Sequence, residues 1–303
     1  MSLSALLEAG RGRVEEHAAF GSRTTYRVGG TARVLVTLAA RSDLEELGPL
    51  IAACGLPVAI LGNGSNLLVA DGELATVALH LTGEFCDLAW RDVGDDVVVR
   101  AGAGLDLPVA ARRLAGEGIV GFEWAVGVPG TFGGATAMNA GGHGSDMAAS
   151  VSEVTLWRAG SFDVRTSADL GFGYRRSSLS DQDLVTDVTL HLGHGARDVA
   201  KAQISEIVRW RREHQPGGAN AGSVFQNPDG GHAGQLIEAA GCKGLRLGSA
   251  VVSEKHANFI LVDAGGSAND VYQLLLTVRE RVLASSGVLL KSEHRLLGFE
   301  AIA

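Results

Sequence analysis

The chain has 303 residues, 46% hydrophobic and 20% charged, with a net charge of −8 and a pI near 5.6; this is enough for more than one core, too apolar for a disordered chain, and too acidic for a protein that grips nucleic acid through a basic face. Cys54, Cys86 and Cys242 are too few and too scattered for a disulfide framework or a zinc site, and suggest a reducing compartment. Met1–Arg13 carries no basic-then-apolar leader and no stretch approaches the roughly 20 apolar residues that span a bilayer, so a cytoplasmic protein without membrane or nucleic-acid partners is expected.

In chain order, Ala32–Leu38 is apolar and β-branched and predicts a strand. Ser42 to Glu45 has the spacing of a capping box and opens a helix that stops before Gly55. Pro57–Leu61 predicts a short buried strand running into Gly62-Asn-Gly-Ser-Asn66, with apolar Leu67–Val69 beyond. Further strands are expected at Thr76–Leu81, Asp96–Ala101, Glu153–Trp157 and Val185–Leu192, with a helix opened by Asp106 and Pro108 and ended near Gly116. Gly127–Gly144 is too dense in glycine for a regular element and predicts a loop wrapped around something. Helices are expected over Asp198–Glu213 and from Asn269 to before Gly287, and a strand over His256–Val262. No repeat or low-complexity linker separates these parts.

Glycine is the anomaly: 42 residues, about twice the usual ~7% share, and clustered. Gly62-Asn-Gly64 and Gly102-Ala-Gly104 begin like a dinucleotide fingerprint, but Leu67 and Leu107 stand where its third small residue belongs, and no GxxxxGK[ST] exists. A Rossmann unit and a P-loop are both disfavoured. Gly-rich turns can still gather backbone N–H groups into an anion-binding nest, with Ser65 and Asn66 adding donors. Taken alone, Gly62–Asn66 is equally a tight turn. Val126–Gly141 tips the balance, because so many small residues in succession let backbone approach a flat or extended ligand, with Thr131 and Asn139 as hydrogen-bonding side chains.

These two loops resemble the pyrophosphate- and flavin-binding loops of the UDP-N-acetylenolpyruvoylglucosamine reductases, a family within the vanillyl-alcohol-oxidase-type flavoproteins. The resemblance continues through Thr25–Gly30, Leu61–Leu67, Val128–Gly141, Gly173–Arg175, Ala221–Pro228, Ala239–Leu245, Ser253–Phe259 and Ser292-Glu293, in family order, and looks like the shorter of two subtypes. It implies an α+β fold in three domains: FAD-binding parts at 1–75 and 76–195, and a C-terminal α+β substrate domain at 196–303. It implies non-covalent FAD, NADPH as hydride donor, and reduction of UDP-N-acetylglucosamine enolpyruvate to UDP-N-acetylmuramate for peptidoglycan. The cofactor-binding positions it implies are Gly62, Asn63, Gly64, Ser65, Asn66, Leu67, Pro129, Gly130, Thr131, Gly133, Gly134, Ala135, Asn139 and Gly141.

Hydride addition to an enolpyruvyl group pushes charge toward a carboxylate that is already anionic, so the reaction needs positive charge or donors where that charge develops. By the resemblance, Arg175 supplies the guanidinium, Glu293 a carboxyl whose pKa burial would raise, and Ser223 the proton for the second carbon. Judged alone, Arg175 beside Arg176 reads as surface charge, Ser223 after Ala-Gly as a turn or cap, and Glu293 as solvated surface. Tyr174, Gln226 and Asn227 are the implied substrate contacts, with Asn227 on the diphosphate.

Two positions depart from the family pattern. His214 stands where a lysine is common, and would titrate near neutrality if it contacts a diphosphate. His143 replaces a tyrosine; related oxidases attach FAD through a histidine, but one histidine in a glycine loop is thin support for that. No histidine spacing suits a metal, and none is expected. An oxygen-using oxidase of the same superfamily and a nucleotide-binding protein without catalysis are the competing readings.

Overall fold

The computed structural model describes residues 3–300. It divides into two compact units. The first comprises the chain up to Glu16, Val34–Asn63 and Ala75–Arg211; the second comprises His17–Arg33, Gly64–Leu74 and the chain from Arg212 onward.

The main body of the first unit is an antiparallel sheet in the order Ser161–Thr166, Val151–Arg158, Leu184–His194, Asp96–Gly102, Leu88–Val93, with Ile119–Val120 also pairing to Leu184–His194. Its central strands show why they form: Val97, Val99 and Ala101 are buried while Asp96 and Arg100 face out, the two-residue period of a half-buried strand. The edge strands Leu88–Val93 and Ser161–Thr166, which are not among the expected strands, are largely exposed, with Leu88 and Phe162 packing on the core. Against this sheet pack helix Leu107–Glu117, with Leu107, Ala110, Ala111, Leu114 and Ala115 on its buried stripe, and the buried face of helix Arg197–His214. A four-stranded sheet of order Val14–Ala18, Thr31–Leu38, Glu73–Leu81, Val58–Leu61 carries the expected strand into Gly62; Val58–Leu61 runs parallel to Val77–His80.

Two expectations need correction here, and the helix end expected near Gly116 is located. The helix after Ala40 spans Arg41–Ala53, so Ser42 lies inside its first turn. Its cap is Asp43, whose Oδ2 accepts from Ala39 N at 2.7 Å and Ala40 N at 2.9 Å. Helix Leu107–Glu117 passes through Gly116 and stops at left-handed Gly118, φ 77°, the residue that can leave a helix without a Cβ penalty. The Gly127–Gly144 stretch is not all loop: Phe132–Ala137 is a short helix, and Gly141–Gly142 pairs with Ser145–Asp146.

The second unit has its own core, built from helix Ala268–Ser286 (buried Val271, Leu274, Leu275, Val278, Val282), helix Ala233–Ala239 and the small sheet Arg246–Leu247, Ala250–Val252, Ile260–Val262. Of the strand expected over His256–Val262 only Ile260–Val262 is extended; Phe259 N–H turns back to the His256 carbonyl at 3.0 Å. Arg295–Leu297 pairs in parallel with Leu67–Val69.

Helix Ala268–Ser286 is capped twice. Ser267 Oγ accepts from Asn269 and Asp270 N–H, and Asp71 accepts from Ser267 Oγ at 2.7 Å and Asn269 N–H at 3.1 Å. Asp71→Ala removes the cap's anchor and a carboxylate at the positive end of the helix, so unfolding free energy is expected to fall by about 1–2 kcal/mol in urea titration. An unchanged midpoint would show that Ser267 caps unaided.

Candidate active site

In the first unit the two glycine-rich segments meet. A Cβ on Gly62 would lie 2.5 Å from Thr131 Oγ1, so only glycine lets these segments pack. Asn63 Nδ2 donates to Asp106 Oδ1 at 2.6 Å, and Asp106 bridges Thr131. Leu107 N–H donates to the Gly130 carbonyl, Phe132 N–H to Leu105 and Gly133 N–H to Ala103, so Pro129–Gly133 is pinned to the start of helix Leu107–Glu117. Gly134 is exposed and meets nothing nearer than Thr131 Oγ1 at 3.7 Å, whereas Ala135 is buried. Beneath this surface Thr136 Oγ1 and Trp124 Nε1 are buried without a protein partner.

Asn139 was expected to reach a ligand, but its side chain is used internally. Nδ2 donates to Asp146 Oδ2 (3.1 Å) and the Gly173 carbonyl (3.0 Å), while Oδ1 accepts from Ala148 N–H (2.9 Å). The same place holds Arg175, half-buried, with a left-handed φ of 55° and Nη2 donating to the Gly141 carbonyl at 3.0 Å. Gly141 is a close-approach glycine, since its Cβ would sit 2.5 Å from the Ser145 carbonyl oxygen. Tyr174 is 59% exposed with its ring beside the Arg175 guanidinium, not in the core. His143 lies over Gly127, edge-on to Trp210 at 5.2 Å; desolvation and then the charge of Arg211 lower its pKa.

Elsewhere in this unit a cleft of about 410 Å³ contains Arg41, Arg100 and Asp187. Both arginines meet Asp187 at 2.5 Å. Its buried carboxylate is therefore satisfied, and the triad clamps strand Leu184–His194 in place.

In the second unit, the segments that carry Ser223 and Glu293 pair through their backbones. Glu293 N–H donates to the Val224 carbonyl at 2.8 Å, Gln226 N–H to the Lys291 carbonyl at 2.9 Å, and Phe225 bridges Ser292. Asn66 joins them: Nδ2 donates to the Glu293 carbonyl and its own carbonyl accepts from Arg295 N–H, each at 2.9 Å. Gly64 is left-handed and packs on Thr24, its carbonyl accepting from Thr25; Ser65 is half-buried beside it and Leu67 enters the parallel pair. Asn227 is exposed, and its Oδ1 accepts from Ala233 N–H at 3.0 Å. His214 is the last, exposed residue of helix Arg197–His214.

Sequence reasoning missed Asn258, which shapes this corner. Its Oδ1 accepts from Phe225 N–H, its Nδ2 donates to the Phe225 carbonyl at 2.8 Å, and its own carbonyl accepts from Val224 N–H. The available signal was a polar side chain inside the apolar run His256–Val262, since buried amides are retained with partners. Also missed was the fully buried pair Tyr26 and His294, ring centroids 5.6 Å apart.

Desolvation pushes the pKa of His294 down to about 4, the Ala221 backbone offsetting only part of it. An imidazole depressed in the fold stays neutral there while the unfolded chain takes up a proton below about pH 6.5. Stability is therefore full above that pH and falls toward pH 4, by about 2 kcal/mol between pH 7 and 5. His294→Phe should flatten that part of the profile relative to wild type. Parallel profiles would remove His294 as the cause.

Among the described residues no group of three or more His, Cys, Asp or Glu side chains is placed to hold a metal, and no helix is long and apolar enough to cross a membrane.

Comparison with known proteins gives the family. Residues 32–160 match the FAD binding domain family, and residues 214–297 match the C-terminal domain of UDP-N-acetylenolpyruvoylglucosamine reductase. UDP-N-acetylenolpyruvoylglucosamine reductase 2 of Symbiobacterium thermophilum is 41% identical over 95% of this chain and 93% of its own. The reductase of Paramagnetospirillum magneticum is 40% identical over the same shares. The crystal structure of a UDP-N-acetylenolpyruvylglucosamine reductase from Thermus caldophilus superposes with a TM-score of 0.81 at 36% identity, covering 94% of this chain and 99% of that one. Likeness of this degree along almost the whole of both chains makes this protein a member of the UDP-N-acetylenolpyruvoylglucosamine reductase family, whose members are FAD-dependent oxidoreductases.

Proposed function

We propose that the protein reduces UDP-N-acetylglucosamine enolpyruvate to UDP-N-acetylmuramate, using FAD and NADPH, in the cytoplasmic synthesis of peptidoglycan precursors. The observation that supports the reading is the backbone pairing of Val224 with Glu293, which brings the segment carrying Ser223 against the segment carrying Glu293. The relatives' printed activity and the FAD-binding match over residues 32–160 supply the rest. The three-domain division at 1–75, 76–195 and 196–303 belongs to the same reading.

The residues present suit a non-covalent flavin. Gly62 packs its backbone directly on Thr131, Gly134 stays exposed with nothing nearer than Thr131 Oγ1 at 3.7 Å, and Thr136 Oγ1 is buried without a protein partner. Within the first unit, Gly62, Asn63, Pro129, Gly130, Thr131, Gly133, Gly134, Ala135 and Gly141 would line the flavin mainly through backbone, with Asn139 bracing the loop. His143, turned over Gly127 toward Trp210, favours non-covalent attachment. When bound, FAD would accept hydride from NADPH and deliver it from N5 to the terminal enolpyruvyl carbon.

The chain's own groups would do the remainder. Arg175 would fork onto the substrate carboxylate and balance its growing charge, since a guanidinium stays ionised in any surroundings. Glu293, half-buried, would act in its protonated form by donating a hydrogen bond to the substrate. Ser223 would pass its proton to the second carbon. Tyr174, Gln226 and Asn227 would hold the sugar nucleotide.

The test is the visible spectrum. Purified protein should be yellow, bleach with NADPH under anaerobic conditions, and regain colour when the enolpyruvyl sugar nucleotide is added. A protein that takes up no flavin would end this reading. Rapid recolouring by oxygen alone, with none from the sugar nucleotide, would point to an oxidase.

A further inference from the structure

We propose that Asn139 is a positioning residue for Arg175, acting through the turn that carries the arginine; this rests on the catalytic reading of Arg175 above. Gly173 to Arg176 is a tight turn closed by reciprocal bonds, Gly173 N–H to the Arg176 carbonyl at 3.0 Å and Arg176 N–H to the Gly173 carbonyl at 3.2 Å. Arg175 is its third residue, and a φ of 55° there strains any side chain larger than glycine. Such a conformation persists where neighbouring structure over-determines it.

The neighbouring structure is the glycine-rich segment, which meets the turn in three rungs. Ser177 Oγ donates to the Ala137 carbonyl at 2.7 Å, Asn139 Nδ2 to the Gly173 carbonyl at 3.0 Å, and Arg175 Nη2 to the Gly141 carbonyl at 3.0 Å. The middle rung grips the carbonyl that also closes the turn. Asn139 is suited to it: only 3% exposed, itself left-handed at φ 43°, and fixed from the other side by Asp146 and Ala148 N–H. With two amide hydrogens already given to Asp146 and Gly173, its NH₂ has no hydrogen left for a ligand. The amide thus holds the backbone of the turn while Gly141 receives the guanidinium, and the Arg175 head group is aimed from both ends. A long, rotamer-rich side chain aimed in this way reaches its substrate with less disorder to lose.

The experiment compares holoenzyme variants by stopped-flow flavin reduction with NADPH, flavin reoxidation by the enolpyruvyl sugar nucleotide, FAD affinity and melting temperature. Asn139→Ala is expected to slow reoxidation about 10- to 100-fold, the scale of a small misplacement of a reacting group. Reduction by NADPH should fall far less than reoxidation, and FAD affinity should stay within about tenfold. In an Arg175→Ala background the same substitution should add less than about twofold, because the group it aims is already gone. The exchange Asn139→Asp with Asp146→Asn restores a bond between positions 139 and 146 but not the donor to Gly173. It should recover melting temperature and FAD binding while reoxidation stays slow.

Recovery of the rate by the exchange would overturn the proposal, as would additive losses in the double variant. A loss of FAD affinity beyond about tenfold with normal reoxidation would make Asn139 a cofactor ligand instead. If Arg175→Ala alone reoxidises normally, the catalytic reading of Arg175 fails and the proposal falls with it. A slow Arg175→Ala beside a normal Asn139→Ala overturns the positioning role alone.

Discussion

Ser223→Ala should leave reduction of the flavin by NADPH nearly intact and slow its reoxidation by the enolpyruvyl sugar nucleotide about 10²- to 10⁴-fold, the usual worth of a general acid. The surroundings of Ser223 make this substitution unusually clean. Gly222 on one side is left-handed with its N–H bonded to Asn220 Oδ1 at 3.1 Å. Val224 on the other donates to the Asn258 carbonyl and accepts from Glu293 N–H. Removing one oxygen from a half-buried side chain between two pinned residues leaves the backbone where it was. Melting temperature should move by no more than the change expected from about 0.5 kcal/mol. A serine hydroxyl is a poor acid, so its proton must leave under the influence of charge nearby, and the Glu293 segment is the neighbour the fold provides. Equal losses in both half-reactions would mean that Ser223 binds or shapes the flavin site and carries no proton.

Replacing Arg175 by lysine should lower the rate of reoxidation about 10²- to 10³-fold, comparable with removal of a donor from an oxyanion site. Lysine keeps the charge but loses the planar fork that meets two carboxylate oxygens at once. Arg175→Gly should be as slow, yet its stability is expected to stay near wild type. Relief of the left-handed backbone offers about 1 kcal/mol, offset by loss of the bond to the Gly141 carbonyl, itself worth about 1 kcal/mol. An inactive but normally stable Arg175→Gly would show backbone strain maintained for function. Wild-type reoxidation by Arg175→Lys would instead assign the carboxylate to another group.

Much of the local structure is legible in the residues. Helix Ala268–Ser286 shows its apolar face and its glycine stop, and strands such as Asp96–Gly102 show their alternation, because burial against one core writes a period into the chain. Where burial is slight the signal is weak: Leu88–Val93 and Ser161–Thr166 are held mainly by neighbours' backbone bonds, with Leu88 and Phe162 packing on the core. Caps are legible as residue types but not as positions. Ser42 has the right spacing, yet Asp43 does the work because Ala39 and Ala40 N–H point at it.

The site divides in the same way. Glycine density by itself marks Gly62–Asn66 and Val126–Gly141 as places where backbone must come close to something, and the order of the motifs indicates a flavoenzyme family. Those are properties of single segments, set by which residues lack a Cβ or carry a given charge. That Asn139 braces a turn 34 residues away, that Glu293 lies against Val224, and that Asn66 holds the Glu293 carbonyl are decided only when distant strands pair. A hydrogen bond has no sequence signature when its partners belong to different elements, because its geometry exists only after the cores have closed around it.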